Sequence, residues 1–145
     1  MSDAAGAKTG SQGRGPADRP MSPHLQVWRW HVTMATSIFH RGTGMALYVG
    51  ILVLAGWVIH LAGGADRYGF YMRLLGSPIG LLVLFGLTVS FLYHLANGVR
   101  HLFFDSGKGY DPKTADMTGW AAIAFGVVAA VLIWIIAFLG MGAGQ

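Results

Sequence analysis

Two histidines, His94 and His101, stand in a stretch of sequence that is otherwise almost entirely apolar. They are 7 residues apart, so a helix places both on one face with a rise of about 10.5 Å between them. Ser90 and Asn97 fall on the same stripe, and Gly98 beside it leaves room for a flat group or another backbone. An ionisable residue inside an apolar helix is costly to bury, so its default interpretation is functional. The pattern predicts an apolar helix with one polar, notched face.

The missing residue types narrow the chemistry of that face. The chain has no Cys, its 6 acidic residues are all Asp, and none of them lies in a long apolar stretch. Thiolate sites, disulfides and carboxylate-bound metals are therefore excluded there. A neutral imidazole remains a good ligand for haem iron, with the propionates directed towards His101, Arg100 and the start of the first apolar stretch. The alternative is that His94 hydrogen-bonds to a neighbouring helix.

A second polar group opens the first apolar stretch and consists of Thr33, Ser37, His40, Arg41 and Gly44. Offsets of 4, 7, 8 and 11 residues put them on one helical face. The Ser37 hydroxyl and the Arg41 guanidinium lie one turn apart, and two donors aimed at one spot suit a carbonyl group such as that of a quinone. The alternative is that Arg41 extends to the lipid headgroups.

These residues belong to three stretches without any charged residue, at 42–64, 74–99 and 118–145. Each exceeds the roughly 20 residues that cross a bilayer core. Only 11% of the 145 residues are charged, against about 25% in soluble domains. An isolated chain with this pattern cannot close a barrel. The sequence therefore predicts an all-α, three-helix transmembrane bundle that packs with a partner membrane subunit.

The transmembrane helices are predicted over about residues 33–62, 78–102 and 118–138. The glycine pair at 63–64 ends the first helix, while Ser77 caps the second and Pro78 starts it. Asp116 is a possible cap of the third helix, and Gly140 is its stop. Residues 1–18 are predicted to form a disordered polar tail, and residues 19–145 one membrane domain with an interfacial lead-in.

Lys and Arg predict the orientation of the chain. The residues before the first charge-free stretch and those between the second and third stretches hold 8 of them, and the residues between the first and second stretches hold 2. By the positive-inside rule, the N-terminus is inside and the C-terminus outside. The same rule accounts for the net charge of +4 without a nucleic-acid partner. Residues 1–18 lack the Arg-rich amphipathic character of a mitochondrial transit peptide, which favours a bacterial cytoplasmic membrane.

The third span carries small residues at every fourth position, namely Ala122, Gly126 and Ala130. Such a face suits close helix packing, either within this chain or against a partner subunit. The alternative is that these are ordinary small residues in a helix that faces lipid.

Three motifs in order along the chain resemble those of one protein family: RPMSPHL at residues 19–25, SIFHRGTG at 37–44 and HLANGVRHLFFD at 94–105. The family is the cytochrome b membrane-anchor subunit of succinate dehydrogenase (succinate:quinone oxidoreductase, respiratory complex II). The resemblance runs from Arg19 to the end of the third span. Members often carry Trp where Phe104 stands, and the Phe keeps an aromatic ring there.

The resemblance implies one haem b with His94 as an axial ligand of its iron, and a second axial histidine from the other membrane-anchor subunit. It implies that Ser37 and Arg41 help to bind ubiquinone near the iron–sulfur subunit, and that His40, Arg41 and His101 lie near the haem propionates. The other partners are then the flavoprotein subunit and membrane lipid. This chain would perform no dehydrogenation itself, because it has neither a nucleotide fingerprint nor cluster cysteines.

Two further hypotheses compete with the anchor that shares its haem. The chain could be a self-sufficient b-type cytochrome that uses His40 and His94 as its own axial pair, since their predicted depths are similar. It could also be a purely structural anchor whose histidines serve helix packing.

Overall fold

The computed structural model describes residues 29–143, and this part of the chain contains four helices and no strand. The helices are α1 (Val32–Ala62), α2 (Ala65–Leu75), α3 (Pro78–Asp105) and α4 (Pro112–Ala143). Three of them, α1, α3 and α4, are long and apolar enough to cross a membrane. The all-α fold is confirmed, and the three predicted spans fall inside these helices. The predicted tail and most of the lead-in lie outside the described residues.

The ends of the first two spans follow the predicted caps. Gly63 closes α1 through its N–H, and Gly64 has a φ of 93°, a left-handed conformation that glycine adopts without strain. The Ser77 hydroxyl accepts a hydrogen bond from the N–H of Gly80 at 3.1 Å, and Pro78 is the first residue of α3. The chain therefore leaves α1 and enters α3 through sharp, well-defined turns.

Helix α2 was not predicted. It has 11 residues, or about 16 Å of rise, which is too short to cross a bilayer core. Tyr68, Tyr71 and Leu75 form its half-buried face. The Tyr71 hydroxyl donates to the carbonyl of Val53 at 2.7 Å, which fastens α2 against α1. The signal was present in the sequence as aromatic and apolar residues at i, i+3 and i+7.

The start and end of α4 differ from the prediction. Asp111, not Asp116, caps the helix, because its carboxylate accepts from the N–H and the hydroxyl of Thr114 at 3.2 and 3.3 Å. Asp116 lies inside the first turns of α4, and the helix continues past Gly140 to Ala143. Since Pro112 is tolerated at a first helical position, α4 begins six residues earlier than its apolar stretch suggested.

Helix α3 packs against both α1 and α4. The small-residue face of α4 lies against α3 of this same chain: Ala122 and Ala130 are buried, and a Cβ on Gly126 would lie 2.7 Å from the Cβ of Tyr93. On the other side of α3, the Tyr93 hydroxyl donates to the carbonyl of Thr36 at 2.8 Å. Tyr93 of α3 therefore contacts both of the other spans.

Candidate functional site

His94 lies on the face of α3 that meets α1. Its Nδ1 is 3.2 Å from the backbone carbonyl oxygen of His40 and 3.2 Å from the hydroxyl oxygen of Thr43. A carbonyl can only accept, and the Thr43 hydroxyl directs its own hydrogen to the carbonyls of Phe39 and His40. These acceptors assign the proton of a neutral His94 imidazole to Nδ1, and they leave the lone pair on Nε2.

Nε2 of His94 makes no hydrogen bond within the described part of the chain. A histidine with its Nδ1–H held by a carbonyl and its Nε2 free has the arrangement of a metal-ligating imidazole, because the carbonyl fixes both the tautomer and the ring orientation. His94 could therefore bind a metal ion through Nε2.

The other two histidines of this region form a cluster with His94, in which His40 lies between His94 and His101. The His40 ring stacks on the His94 ring with centroids 3.9 Å apart and an interplanar angle of 10°, and the His101 ring is tilted 45° with its centroid 5.1 Å from that of His40. Nδ1 of His40 is buried and has no hydrogen-bond partner among the described residues. The structure therefore brings the three histidines together and leaves a buried polar atom of His40 unpaired.

Gly44 provides the close approach between α1 and His94. A Cβ at this position would lie 3.3 Å from Cε1 of His94, tighter than ordinary van der Waals contact. A Cβ at Gly98, which was expected to form the notch, would meet nothing within 4 Å. The notch at the His94 ring is therefore on α1, whereas Gly98 leaves open space on α3.

Ser37 and Arg41 lie one turn apart on α1, before the stretch that packs against α2. Ser37 is half-buried and Arg41 is exposed. Neither side chain makes a hydrogen bond or an ion pair within residues 29–143. The hydroxyl and the guanidinium are therefore both available to an external acceptor.

Two residues expected at the histidine face belong elsewhere. The Arg100 guanidinium turns to α4, where it donates to the Ala115 carbonyl at 2.8 Å and the Thr118 hydroxyl at 3.0 Å. Asn97 is fully buried and accepts from Arg100 at 3.4 Å. The polar stripe of α3 therefore splits, with His94 and His101 facing α1 while Asn97 and Arg100 join α3 to α4.

Comparison with known proteins identifies the group to which this arrangement belongs. Residues 16–133 match the model of the succinate dehydrogenase/fumarate reductase transmembrane subunit family. The chain belongs to that family. The matched range includes every residue of the two polar faces described above.

Curated members of the family are similar over most of their length. The succinate dehydrogenase cytochrome b556 subunit of Paracoccus denitrificans is 38% identical over 122 residues, which cover 84% of this chain and 94% of that protein. The cytochrome b556 subunit of Rickettsia felis is 34% identical, over 81% of this chain and 91% of its own length. The mitochondrial cytochrome b560 subunit of Sus scrofa is 33% identical, over 79% and 69%.

Thr43 belongs to the site around His94 but was not predicted from the sequence. It lies three residues after His40, within reach of the same face, but a threonine inside an apolar helix usually bonds back to its own carbonyls. Thr43 does this and also contacts His94 across the helix pair. Only the packing of α3 on α1 brings out this second contact.

Proposed function

We propose that this chain is the membrane anchor of a succinate dehydrogenase complex, holding one haem b through His94 and contributing Ser37 and Arg41 to a ubiquinone site. The observation that carries the proposal is the environment of His94. Its Nδ1 is engaged by two oxygens of α1, so Nε2 is the free ligand atom. The relatives are named cytochrome b subunits of succinate dehydrogenase, which supports a haem b and the same kind of complex.

The residues around His94 fit a haem group. Donation from Nδ1–H to the His40 carbonyl makes Nε2 a better ligand. Gly44 keeps α1 clear of the ring, since any side chain there would crowd Cε1 of His94. When bound, the haem iron supplies one-electron oxidation and reduction.

The propionate end of the haem would lie towards His40, Arg41 and His101. The unpaired Nδ1 of His40 is available to a carboxylate, and its ring lies between those of His94 and His101. Arg41 adds a permanent positive charge at the next position along α1. The guanidinium would therefore offset negative charge of the two acidic groups, and the two imidazoles would orient these groups through hydrogen bonds.

The second axial ligand is assigned to the partner anchor subunit. For both ligands to come from this chain, His40 and His94 would have to hold one haem between their rings. In this chain the His40 and His94 rings instead stack face to face at 3.9 Å, with no room for a porphyrin between them. This geometry disfavours the self-sufficient cytochrome, in which both ligands come from one chain.

The remaining chemistry of the complex is assigned to other subunits. The chain has no cysteine for an iron–sulfur cluster, so an iron–sulfur subunit delivers the electrons and a flavoprotein subunit oxidises succinate. Ser37 and Arg41 would donate hydrogen bonds to one quinone carbonyl and hold the headgroup at the membrane boundary. We place the chain in a bacterial cytoplasmic membrane, with its N-terminus inside and its C-terminus outside.

Replacement of His94 tests the proposal. His94→Ala in the assembled complex is expected to remove the haem or to shift its reduced-minus-oxidised spectrum severely, because the iron loses a ligand. His31→Ala is the matched control, since His31 is exposed and its side chain caps nothing. An unchanged spectrum in His94→Ala would reject this ligand. The absence of any haem absorbance in the native complex would instead favour a purely structural anchor.

A further inference from the structure

Tyr93 directly precedes His94 in α3, and both side chains reach a backbone carbonyl of α1. The Tyr93 hydroxyl donates to the carbonyl of Thr36 at 2.8 Å. Nδ1 of His94 lies 3.2 Å from the carbonyl of His40. In an α-helix the N–H of one residue donates to the carbonyl four residues earlier, so Thr36 and His40 belong to one turn of α1. Two consecutive residues of α3 therefore contact a single turn of α1 at two points.

The Tyr93 contact is the better formed of the two. Its length is typical of an O–H···O bond, whereas the 3.2 Å of the His94 contact is at the long end for an N–H···O bond. The same nitrogen of His94 lies 3.2 Å from the Thr43 hydroxyl, so its proton is shared between two distant acceptors. A small displacement of α3 along α1 would therefore break the His94 contact, unless another bond fixes the two helices.

Tyr93 itself has little freedom to move. It is only 5% exposed, and its ring meets the Phe39 ring edge to face with centroids 6.4 Å apart. On the side of α4, a Cβ on Gly126 would lie 2.7 Å from Cβ and 3.0 Å from N of Tyr93, so the two backbones are in close contact. A phenol buried between transmembrane helices has no water to bond, so its hydroxyl must keep a protein acceptor. Tyr93 is thus a fixed point next to His94 in the sequence.

We propose that Tyr93 is a positioning residue for the haem ligand, because its hydroxyl fixes the register of α3 on α1 and so keeps Nδ1 of His94 at the His40 carbonyl. The inference rests on the proposed function, in which Nε2 of His94 binds the iron. Donation from Nδ1 raises the basicity of Nε2 and fixes the ring orientation. A more basic ligand stabilises ferric over ferrous iron and lowers the midpoint potential. Loss of the Tyr93 hydroxyl therefore raises the midpoint potential while the ligand itself remains.

Tyr93→Phe in the assembled complex tests this role, since it removes the hydroxyl and keeps the ring. We expect the haem to be retained and its one-electron equilibrium to shift at least about threefold towards the reduced form, or about 28 mV upward in a redox titration. The low-field EPR signal of the ferric haem, which depends on the orientation of the axial imidazole planes, should move as well.

Tyr71→Phe is the matched control. The Tyr71 hydroxyl also donates to a carbonyl of α1, that of Val53 at 2.7 Å, but its ring stacks on His60 and not on the His94 cluster. The control variant should therefore lose a comparable bond and keep the midpoint potential and the EPR signal of the wild type.

The outcomes distinguish a failure of this inference from a failure of the proposed function. An absent or downward shift in Tyr93→Phe, or an equal shift in Tyr71→Phe, overturns the role of Tyr93 and leaves His94 as a ligand. Failure of Tyr93→Phe to assemble also overturns it, because the hydroxyl would then stabilise the whole bundle instead of positioning one side chain. Haem that survives His94→Ala unchanged, or a native complex without haem, overturns the proposed function and this inference together.

Discussion

At the scale of single residues, His94 and His60 share an Nδ1 close to a helix carbonyl but differ in what surrounds the ring. The chain has 6 histidines, and His60 also places Nδ1 against a helix carbonyl, 2.7 Å from that of Gly56. The His60 ring, however, stacks on Tyr71 beside α2, far along α1 from His40. The chemistry of a histidine in this chain therefore depends on what lies opposite Nε2 as well as on what holds Nδ1.

Gly44 and Gly42 allow the packing at His94 to be tested with a matched pair. Gly44→Ala adds a Cβ 3.3 Å from Cε1 of His94, whereas Gly42→Ala adds one into open space. Both gain helix propensity equally. We expect Gly44→Ala to shift the haem midpoint potential or lower the haem content of the complex, and Gly44→Leu to do so more strongly. Identical redox titrations for Gly44→Leu and Gly42→Ala would contradict a role of Gly44 in the haem site.

Ser37 and Arg41 allow quinone binding to be separated from assembly. Truncating a donor to a bound partner costs about 1–3 kcal/mol, and more when the donor is charged. Ser37→Ala and Arg41→Ala should therefore lower succinate-to-quinone activity by roughly ten- to a hundredfold or more. Succinate oxidation with a soluble artificial acceptor should persist, because partner subunits perform it.

Arg41→Lys makes the test of the same pair sharper, since it keeps the charge but loses the planar fork. It should retain little quinone reduction if Arg41 binds a headgroup carbonyl. Arg29→Lys serves as the control because Arg29 is exposed ahead of α1. Full activity of Arg41→Lys with unchanged quinone affinity would mean that Arg41 only extends to the lipid headgroups.

Which helix face each polar residue occupies was predictable only in part. Helical periodicity was enough to place His94 with His101, and Ser37 with Arg41, because residues one or two turns apart share a face. It could not place Arg100, whose long side chain could turn towards either neighbouring helix. The choice depends on the Ala115 carbonyl and the Thr118 hydroxyl of α4, which are distant in sequence.

At the scale of the helices, the contact between α3 and α4 depends on Gly126, which has no side chain to separate the two backbones. Gly126→Ala would place a Cβ 2.7 Å from Cβ and 2.9 Å from Cα of Tyr93, so the backbones must move apart. We expect a loss of about 1–3 kcal/mol in the stability of the complex, measured by thermal unfolding in detergent. Gly140→Ala is the control, because a Cβ there meets nothing within 4 Å. An equal midpoint for both variants would contradict this packing.

The spans were predictable from the sequence, but the segments between them were less so. A charge-free stretch marks only the part of a helix that lies in the bilayer core, so it ends where the headgroups begin. Helix α4 extends beyond that limit because Asp111 caps it in the polar region. Helix α2 has two arginines and an aspartate among its 11 residues, and its helical form depends on docking of Tyr71 against α1.

At the scale of the whole molecule, the described helices have the reverse of a soluble protein's arrangement. The largest fully buried side chains of the described residues are polar, Asn97 and Thr36, while most large apolar residues of α1 and α4 are exposed. In lipid this distribution is stable, since the apolar surface needs no water-free core and polar groups must find partners inside the bundle. The bilayer, together with a partner subunit in the proposed complex, would then cover the outer faces.

At the same scale, the distribution of Lys and Arg predicts which way the chain crosses the membrane. Helix α2 is too short to span, so three crossings separate the two termini, and the two arginines Arg67 and Arg73 lie on the side opposite to the 106–111 loop. The 8-to-2 distribution of Lys and Arg predicts that this loop lies inside.

Because the chain has no cysteine, single Cys substitutions can report this topology. In intact spheroplasts, a membrane-impermeant maleimide should label Asp66→Cys and Gln145→Cys, and it should label Ser106→Cys only after permeabilisation. Labelling of Ser106→Cys alone in intact cells would reverse the orientation and show that charge bias does not decide it. Labelling of all three from outside would mean that α3 and α4 do not each cross the membrane.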